Sequence, residues 1–191
     1  TWITFGFDNL LLAEELGLMG QHNISNVMAA LALGHAAGLP MDVMLETAKR
    51  FKGLPHRCEF VRRVSDVDYI NDTNVGATAA AIESLVPAGG KIVLIAGGEG
   101  KGADFSLLAE PVATHCRAVV LIGTDAETIA TALGNRVETV NAADIAGAVH
   151  TARKLAQPGD RVLLSPACAS FDMFRDYGDR GDRFRQQVEG L

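Results

Sequence analysis

The pattern of hydrophobic and polar residues divides the chain into two regions with different secondary structure. In residues 1–53 it predicts two helices, at about 20–37 and 41–51, and a strand over 1–7 without sheet partners. From Cys58 onwards, short apolar runs alternate with helical patterns up to the C-terminus. Leu54-Pro55 marks a hinge between the regions, because a proline cannot continue the second helix.

The second region has the alternation that is typical of an α/β sheet. Strand patterns occupy residues 59–64, 68–70, 91–96, 118–122, 137–140 and 161–164. Helical patterns occupy residues 75–85, 106–115, 126–133, 142–155 and 178–190. The runs at 91–96 and 118–122 are almost entirely apolar, as expected of strands covered on both faces. The spacing therefore predicts a doubly wound, mostly parallel sheet.

Polar residues follow four of the predicted strands. They are Asp72-Thr73, the glycine-rich loop 97–102, and the segments 123–125 and 165–170. In such sheets ligands bind beyond the carboxyl ends of the strands. Lys101 adds a compact positive charge that suits a carboxylate or a phosphate. The loop is not a Walker A motif, because Gly102 follows the lysine, and it is not G-x-G-x-x-G either.

Other polar and aromatic residues carry weaker signals. Ser170 is predicted to begin a short helix, where it is suited to hydrogen-bond an anionic group. Asn23 and Asn26 share a helix face, either as capping and surface residues or as amides directed at a nucleobase or ribose. Arginines alternate with aspartates over 175–185, which predicts a solvated helix face. Phe171, Phe174 and Tyr177 are predicted to fill core or wall positions.

Composition limits the possible classes of function. The net charge is −6 with no basic region, which argues against a nucleic-acid surface. The three cysteines, Cys58, Cys116 and Cys168, form no C-x-x-C pair, so a zinc site is not expected and a reducing compartment is favoured. No apolar run reaches the roughly 18–20 residues that span a bilayer, and no signal peptide is evident. Membrane insertion is therefore not expected.

Five segments together carry a resemblance to the Mur ligase family. Four of them are Gly20-Gln-His-Asn-x-x-Asn26, Leu54-Pro-His-Arg57, Asn71-Asp72 with Thr73-Asn-Val-Gly76, and Gly97-Gly-x-Gly-Lys101-Gly-Ala-Asp-Phe105. The fifth, Ser165-Pro-Ala-Cys-Ala-Ser170, together with Arg180-Gly181, resembles the members of the family that add D-glutamate. The segments occur in the family's order and cover nearly the whole chain.

The resemblance implies both a domain organisation and a reaction. Residues 1–53 resemble the end of a central ATP-binding domain, and residues 54–191 resemble a C-terminal, Rossmann-like domain that binds the amino acid. The implied enzyme is a cytoplasmic ligase of peptidoglycan precursor synthesis, and so of cell-wall formation and cell division. It would add D-glutamate to UDP-N-acetylmuramoyl-L-alanine through an acyl phosphate, using ATP and Mg²⁺.

The resemblance also implies roles for individual residues. The residues expected to hold D-glutamate are Thr73, Lys101, Ser170, Phe171 and Tyr177, with Lys101 and Ser170 on its side-chain carboxylate. Those expected at ATP are Asn23, Asn26, Arg57 and Asp72, the last two reaching it across a domain cleft. The phosphate loop, the main catalytic groups and most Mg²⁺ ligands are expected in the N-terminal and central domains, outside this chain. The chain alone is therefore expected to be inactive, with no metal site of its own.

One departure from the family pattern falls at the first predicted site. The family pattern reads Asn-Asp-Ser-Lys-Ala-Thr-Asn, whereas here Asn71-Asp72 runs directly into Thr73-Asn74, without three residues that include a lysine. Other Mur ligases, which add L-alanine, a diamino acid or a dipeptide, remain alternatives, as does folylpolyglutamate synthase. From a different class, a non-catalytic module that binds glutamate or a nucleotide also remains open.

Overall fold

The computed structural model describes residues 1–18, 20–73 and 78–191, apart from the side chain of Gln21. The chain forms two compact units, Thr1–Pro55 and His56–Leu191. The assignment of the first unit to an ATP-binding domain and of the second to an amino-acid-binding domain stays a prediction. Among the described residues, no helix is both long and apolar enough to cross a membrane.

The first unit combines a hairpin with two helices. Strand β1 (Trp2–Phe5) pairs antiparallel with β2 (Asp8–Leu12), and α1 (Gln21–Ala36) and α2 (Met41–Arg50) follow. The prediction that residues 1–7 lack a sheet partner is wrong. Gly6 adopts a positive φ of 61°, which turns the chain directly into β2. The small hydrophobic core of the first unit consists of Ile3, Leu11, Leu16, Val27 and Leu31.

The second unit is built on a six-stranded sheet. Its strands are β3 (Glu59–Val64), β4 (Val67–Asn71), β5 (Ile92–Gly97), β6 (Cys116–Ile122), β7 (Glu138–Asn141) and β8 (Arg161–Leu164). The strand order is β3-β4-β8-β5-β6-β7. Within the described part of this sheet, the β3–β4 pair is antiparallel and the other pairs are parallel. The predicted mostly parallel α/β sheet is confirmed.

Helices cover both faces of this sheet. They are α3 (Thr78–Ser84), α4 (Ala109–His115), α5 (Ala126–Leu133), α6 (Ile145–Leu155) and α7 (Tyr177–Glu189). Helices α3 to α5 pack in sequence on one another, and α6 packs on α7. The α6–α7 layer covers alternate residues of the strands, such as Val93 and Ile95 of β5. The intervening Ile92 and Leu94 are equally buried, so both faces of β5 are covered and the sheet is doubly wound.

Two predicted helices differ from the structure for local reasons. Residues 106–115 divide into a 3₁₀ turn (Ser106–Leu108) and α4, because Pro111 has no N–H to bond Leu107 four residues earlier. Helix α6 begins at Ile145 rather than 142, because the Asp144 carboxylate accepts a hydrogen bond of 2.7 Å from the Gly147 N–H. The predicted start of the helix over 75–85 lies outside the described residues.

A buried carboxylate braces the end of the sheet that lies opposite the strand carboxyl ends. The side chain of Asp160, just before β8, is fully buried. It accepts two hydrogen bonds from the Arg117 guanidinium, at 2.5 and 3.0 Å, and 2.8 Å bonds from the backbone N–H groups of Lys91 and Gln157. This carboxylate therefore ties the starts of β5, β6 and β8 together.

Candidate functional site

Four neighbouring strands bring the predicted polar segments to one edge of the sheet. Strands β4, β8, β5 and β6 lie side by side and run parallel. Their carboxyl ends lead into Asp72-Thr73 and into segments 165–170, 97–102 and 123–125. The structure therefore assembles all four segments where an α/β sheet binds ligands.

Backbone hydrogen bonds join three of these segments. The Gly97 N–H donates to the Pro166 carbonyl at 2.8 Å. Glu99 and Ala169 exchange two backbone bonds, of 3.1 and 3.0 Å. The Asp125 N–H donates to the Gly98 carbonyl at 3.0 Å. The loops after β5, β6 and β8 thus form one hydrogen-bonded scaffold.

The close approach of these loops requires glycine at two positions. Gly97 and Gly98 adopt φ values of 124° and 129°, which residues with a side chain rarely adopt. A Cβ atom on Gly97 would collide with the Ile122 carbonyl oxygen, and one on Gly98 with the Ala169 carbonyl oxygen. The glycine-rich segment therefore sets the spacing between strand ends as well as its own turn.

Two predicted glutamate-binding residues, Lys101 of the loop 97–102 and Ser170 of the segment 165–170, lie on neighbouring loops. Lys101 is exposed, and its Nζ lies 5.2 Å from the ring centroid of Phe171. Ser170, next to Phe171, is almost fully buried, and its carbonyl accepts the Phe174 N–H at 2.8 Å. Lys101 also has a positive φ of 50°, a strained conformation of the kind found at functional sites. The Lys101 ammonium group thus lies against the ring of the residue that follows Ser170, on two loops joined by backbone hydrogen bonds.

Of the three aromatic residues near Ser170, one lies in the core and two are exposed. Residues 171–176 form turns rather than the predicted short helix beginning at Ser170, because α7 begins only at Tyr177. Phe174 packs in the core as predicted, whereas Phe171 is 65% exposed and Tyr177 54% exposed. The Tyr177 ring contacts the edge of the His56 ring, with centroids 6.2 Å apart. Phe171 and Tyr177 thus present aromatic surface at the rim instead of filling the core.

The buried carboxylate of Asp72 ties the end of β4 to the neighbouring strands. It accepts hydrogen bonds from the Cys58 N–H at 3.2 Å and from the Ser165 hydroxyl group at 3.1 Å. The Ser165 hydroxyl group also lies 3.1 Å from that of Thr78. Burial, with the neighbouring Asp72 charge, raises the pKa of the Cys58 thiol to about 12. Asp72 is therefore held in place by Cys58 and by Ser165, the first residue of the predicted segment 165–170.

Arg180 does not lie on a solvated helix face, so that prediction is wrong for this residue. Its side chain is fully buried. Nε donates to Thr73 Oγ1 at 2.7 Å and Nη2 donates to the Thr73 carbonyl at 3.0 Å. Nη1 donates to the carbonyls of Cys168 and Ala169 at 3.1 and 3.4 Å. Burial lowers the pKa of Arg180 to about 10, so the guanidinium keeps its charge at neutral pH.

The spacing of residues in α7 contains the signal that identifies Arg180. The buried residues of this helix include Arg180, Phe184 and Val188, which are four residues apart and so share one face. Gly181 lets the helix approach closely, because a Cβ there would collide with His56 Nδ1. The alternating charges concealed this periodicity.

The residues predicted to bind ATP fall in both units. Asn23 and Asn26 lie together on α1 of the first unit, with Asn26 Nδ2 3.4 Å from Asn23 Oδ1. Arg57, in the second unit, is exposed, and its neighbours His56 and Cys58 have positive φ values of 64° and 45°. Asp72 is buried in the network described above. Arg57 therefore presents its charge to solvent at a conformationally unusual turn.

The part of the chain that the structure describes contains no group of three or more His, Cys, Asp or Glu side chains that could hold a metal ion. The Asp72 carboxylate is already occupied by hydrogen bonds from Cys58 and Ser165. These residues do not fit a Mg²⁺ site of their own, and no chemical step is assigned to a metal held by them.

Comparison with known families identifies the group to which the chain belongs. The model of the Mur ligase glutamate ligase domain matches residues 56–168, which is more than half of the chain. The chain belongs to the Mur ligase family. The resemblance predicted from the motifs is thereby confirmed.

Curated relatives extend this similarity over the whole chain. The chain is 70% identical to the UDP-N-acetylmuramoylalanine–D-glutamate ligase of Marinobacter nauticus and 57% identical to that of Pseudomonas aeruginosa. All of the chain is aligned in both cases, but it covers only 44% and 43% of those proteins. The chain thus spans less than half the length of the curated relatives it matches. Each alignment has 194 positions, whereas the chain has 191 residues, so three alignment positions have no residue in this chain. Three is also the number of residues that the family pattern has, and this chain lacks, after Asp72.

Solved structures support the fold. UDP-N-acetylmuramate–alanine ligase MurC from Thermotoga maritima has a TM-score of 0.67 at 18% identity, over 92% of this chain and 39% of that one. Folylpolyglutamate synthase from Mycobacterium tuberculosis has a TM-score of 0.68 at 16% identity, over 95% of this chain and 42% of that one. At such low identity the likeness shows the fold alone.

Proposed function

We propose that this chain is part of an ATP-dependent ligase that joins D-glutamate to UDP-N-acetylmuramoyl-L-alanine. The observation that carries the proposal is the 70% identity, over the whole chain, to a relative with that activity in its name. The reaction belongs to peptidoglycan precursor synthesis in the cytoplasm, and so to cell-wall formation and cell division. The N-terminal and central domains of the ligase would supply the phosphate loop and the main catalytic groups.

The reaction makes an amide from a carboxylate and an amine. ATP phosphorylates the carboxylate of UDP-N-acetylmuramoyl-L-alanine, which turns a poor electrophile into an acyl phosphate. The amine of D-glutamate attacks the acyl carbon, the C–N bond forms, and phosphate leaves together with the ADP already released from the triphosphate. The enzyme must hold the amine in line with the acyl carbon, because correct orientation supplies much of the rate enhancement.

The second unit is suited to hold the amino acid. We assign the side-chain carboxylate of D-glutamate to Lys101 and Ser170, because a cation and a hydroxyl group together bind an anion more strongly than either alone. Their loops are fixed to each other by the two backbone bonds between Glu99 and Ala169. Thr73, the backbone of Phe171, and Tyr177 complete the proposed site. Thr73 follows β4 in the chain, and Phe171 and Tyr177 follow β8.

We assign the nucleotide to residues of both units. Asn23 and Asn26 of α1 would contact the adenine or ribose through their amides, which both donate and accept hydrogen bonds. Arg57 would contribute its exposed positive charge, and Asp72 would reach the nucleotide from the end of β4. Mg²⁺, which accompanies ATP in such ligases, would be held mostly by residues of the other domains.

Phosphate release by the full-length ligase tests this proposal. The assay contains ATP and UDP-N-acetylmuramoyl-L-alanine and, in turn, D-glutamate, L-glutamate, L-alanine or a diamino acid. Lys101→Ala is compared with Lys154→Ala, which removes an exposed lysine from the last turn of α6. We expect release with D-glutamate only, at least about tenfold lower for Lys101→Ala and unchanged for Lys154→Ala.

Other outcomes would change or remove the assignment. Release with a different amino acid keeps the ligase chemistry and refutes the D-glutamate specificity. No release with any amino acid refutes the ligase proposal and favours a module that binds glutamate or a nucleotide without chemistry. Equal activity of the two lysine variants removes Lys101 from the site.

A further inference from the structure

We infer that Arg180 is a positioning residue of the amino-acid site: its buried guanidinium fixes Thr73 and the 168–170 segment in the geometry that binds D-glutamate. The inference rests on the proposed function and adds to it a residue that does not itself touch the substrate. Three observations support it: the Arg180 charge has no ion-pair partner among the described residues, Arg180 joins two segments of the site, and its bond to Thr73 makes the threonine oxygen an acceptor.

The charge of Arg180 is only partly compensated, because the Asp172 carboxylate acts on it electrostatically without forming an ion pair. Four of its N–H groups are used, all of them on the Thr73 hydroxyl group or on backbone carbonyls, and none of the described carboxylates forms an ion pair with it. A buried arginine is normally paired, because an isolated buried charge costs several kcal/mol. The folded chain therefore keeps a positive charge without a directly bonded carboxylate at this edge of the sheet, which favours an anionic ligand nearby.

The groups joined by Arg180 are those assigned to the substrate. It binds both polar atoms of Thr73, after β4, and the carbonyls of Cys168 and Ala169, after β8. Ser170 follows Ala169 directly, and Ala169 is bonded in turn to Glu99 on the loop that carries Lys101. One side chain thus sets the distance between Thr73 and the Lys101–Ser170 pair.

The bond to Thr73 also fixes the role of the threonine hydroxyl group. Arg180 Nε donates to Oγ1 at 2.7 Å, so this oxygen acts as an acceptor towards the helix. Within the described parts of the chain, none of the hydrogen bonds uses the Thr73 O–H as donor. A carboxylate accepts hydrogen bonds and cannot donate when ionised, so this arrangement matches a carboxylate ligand.

Lysine and arginine are not interchangeable at such a site. The planar guanidinium donates to Thr73 and to the two carbonyls at once, whereas a lysine ammonium group has the charge but not the planar arrangement of several N–H donors. Arg180→Lys therefore keeps the charge and removes the geometry. Arg117→Lys is the matched control, because Arg117 also binds buried acceptors with two nitrogens, but at the opposite end of the sheet.

The test is steady-state kinetics of the full-length ligase with each of its three substrates varied in turn. For Arg180→Lys we expect the KM for D-glutamate to rise at least about tenfold, with the KM for ATP and for the UDP-sugar substrate within about twofold of wild type. Arg117→Lys should leave all three KM values within about twofold. Equal changes in all three for Arg180→Lys, or no change for D-glutamate, would refute the positioning role.

A double variant separates positioning from general destabilisation. If Arg180 acts through Thr73, the KM increases for Arg180→Lys and Thr73→Val should not multiply in the double variant, whereas independent effects multiply. Thr73→Ser keeps the hydroxyl group, so its KM increase should be smaller than that of Thr73→Val. KM increases that multiply in the double variant would refute the positioning role of Arg180 and would leave the proposed ligase function unaffected. A wild-type full-length enzyme without activity on D-glutamate would instead refute the proposed function, and this inference with it.

Discussion

Replacing Asp160 by asparagine tests the account of how the sheet is held together. The carboxylate accepts four hydrogen bonds, two from Arg117 and one each from the N–H groups of Lys91 and Gln157. Asparagine keeps one acceptor oxygen and places an NH₂ group where the second oxygen faces N–H donors. The substitution therefore removes the charge and about half of the hydrogen bonds without changing the side-chain shape.

The magnitude follows from the burial of the two partners. Breaking a buried ion pair by removing one partner costs about 3–5 kcal/mol. The Asp160 side chain is fully buried, but that of Arg117 retains 29% exposure, so water can hydrate the unpaired guanidinium. We therefore expect the lower end of that range, about 3 kcal/mol of lost unfolding free energy.

Urea unfolding of the 191-residue chain measures this loss. Both tyrosines lie in the second unit and the single tryptophan lies in the first, so near-ultraviolet tyrosine signals report on the relevant unit. Asp144→Asn is the control, because asparagine caps a helix about as well as aspartate and the change should stay within about 0.5 kcal/mol. An Asp160→Asn variant as stable as that control would refute the bracing role.

The pH dependence gives a second, independent reading of the same interaction. Burial alone raises the pKa of Asp160, but the Arg117 guanidinium and the two backbone N–H groups outweigh it and hold the pKa below its usual value. The unfolded state thus binds the proton more readily. Stability from this group is fully present above its unfolded pKa of about 4 and is lost as the pH falls through the folded pKa. Asp160→Asn should therefore make the unfolding free energy fall less steeply as the pH is lowered below about 4. The same steepness as in the wild type would contradict the role of Asp160 in this pH dependence.

Three further predictions concern other parts of the second unit. The added Cβ of Gly98→Ala would collide with the Ala169 carbonyl oxygen. This variant should lower the midpoint of urea unfolding and raise the KM of the full-length ligase for D-glutamate. Wild-type values for both quantities would contradict the loop geometry. Burial raises the pKa of all three thiols to about 12, so a thiol reagent at pH 8 should label none of them quickly in the native chain and all three in denaturant; rapid native labelling would show that the burial is wrong. Asp144→Ala removes the hydrogen bond to the Gly147 N–H and should lower the unfolding free energy by about 1 kcal/mol, measured in urea against Asp144→Asn; equal stability of the two variants would remove the cap.

The sheet could be predicted from sequence because its strands have a strong local signature. Strands covered on both faces appear as short apolar runs, such as Ile92–Gly97, and these runs differ in length and spacing from the helices between them. The order of the strands could not be predicted in the same way. The insertion of β8 between β4 and β5 depends on contacts between residues far apart in the chain, and no local pattern encodes it.

The candidate site was predictable only in part. Polar residues after apolar runs identified Thr73, Lys101 and Ser170, because the carboxyl ends of parallel strands meet at one edge. The family motif included Arg180, but its burial was missed, because a charge within a run of charges looks like a solvated residue. Its spacing from Phe184 on the same helix face would have indicated burial, since the periodicity of apolar neighbours is a better guide than the charge itself.

Binding of D-glutamate to the strand-end loops is the central claim, and amide chemical-shift mapping of the 191-residue chain tests it most directly. Titration with D-glutamate should shift the backbone amides of Lys101, Ser170 and Thr73 and leave the region around Asp160 unchanged. The same concentrations of L-glutamate should produce smaller shifts. Shifts at other places, or equal shifts with the two enantiomers, would contradict the proposed site.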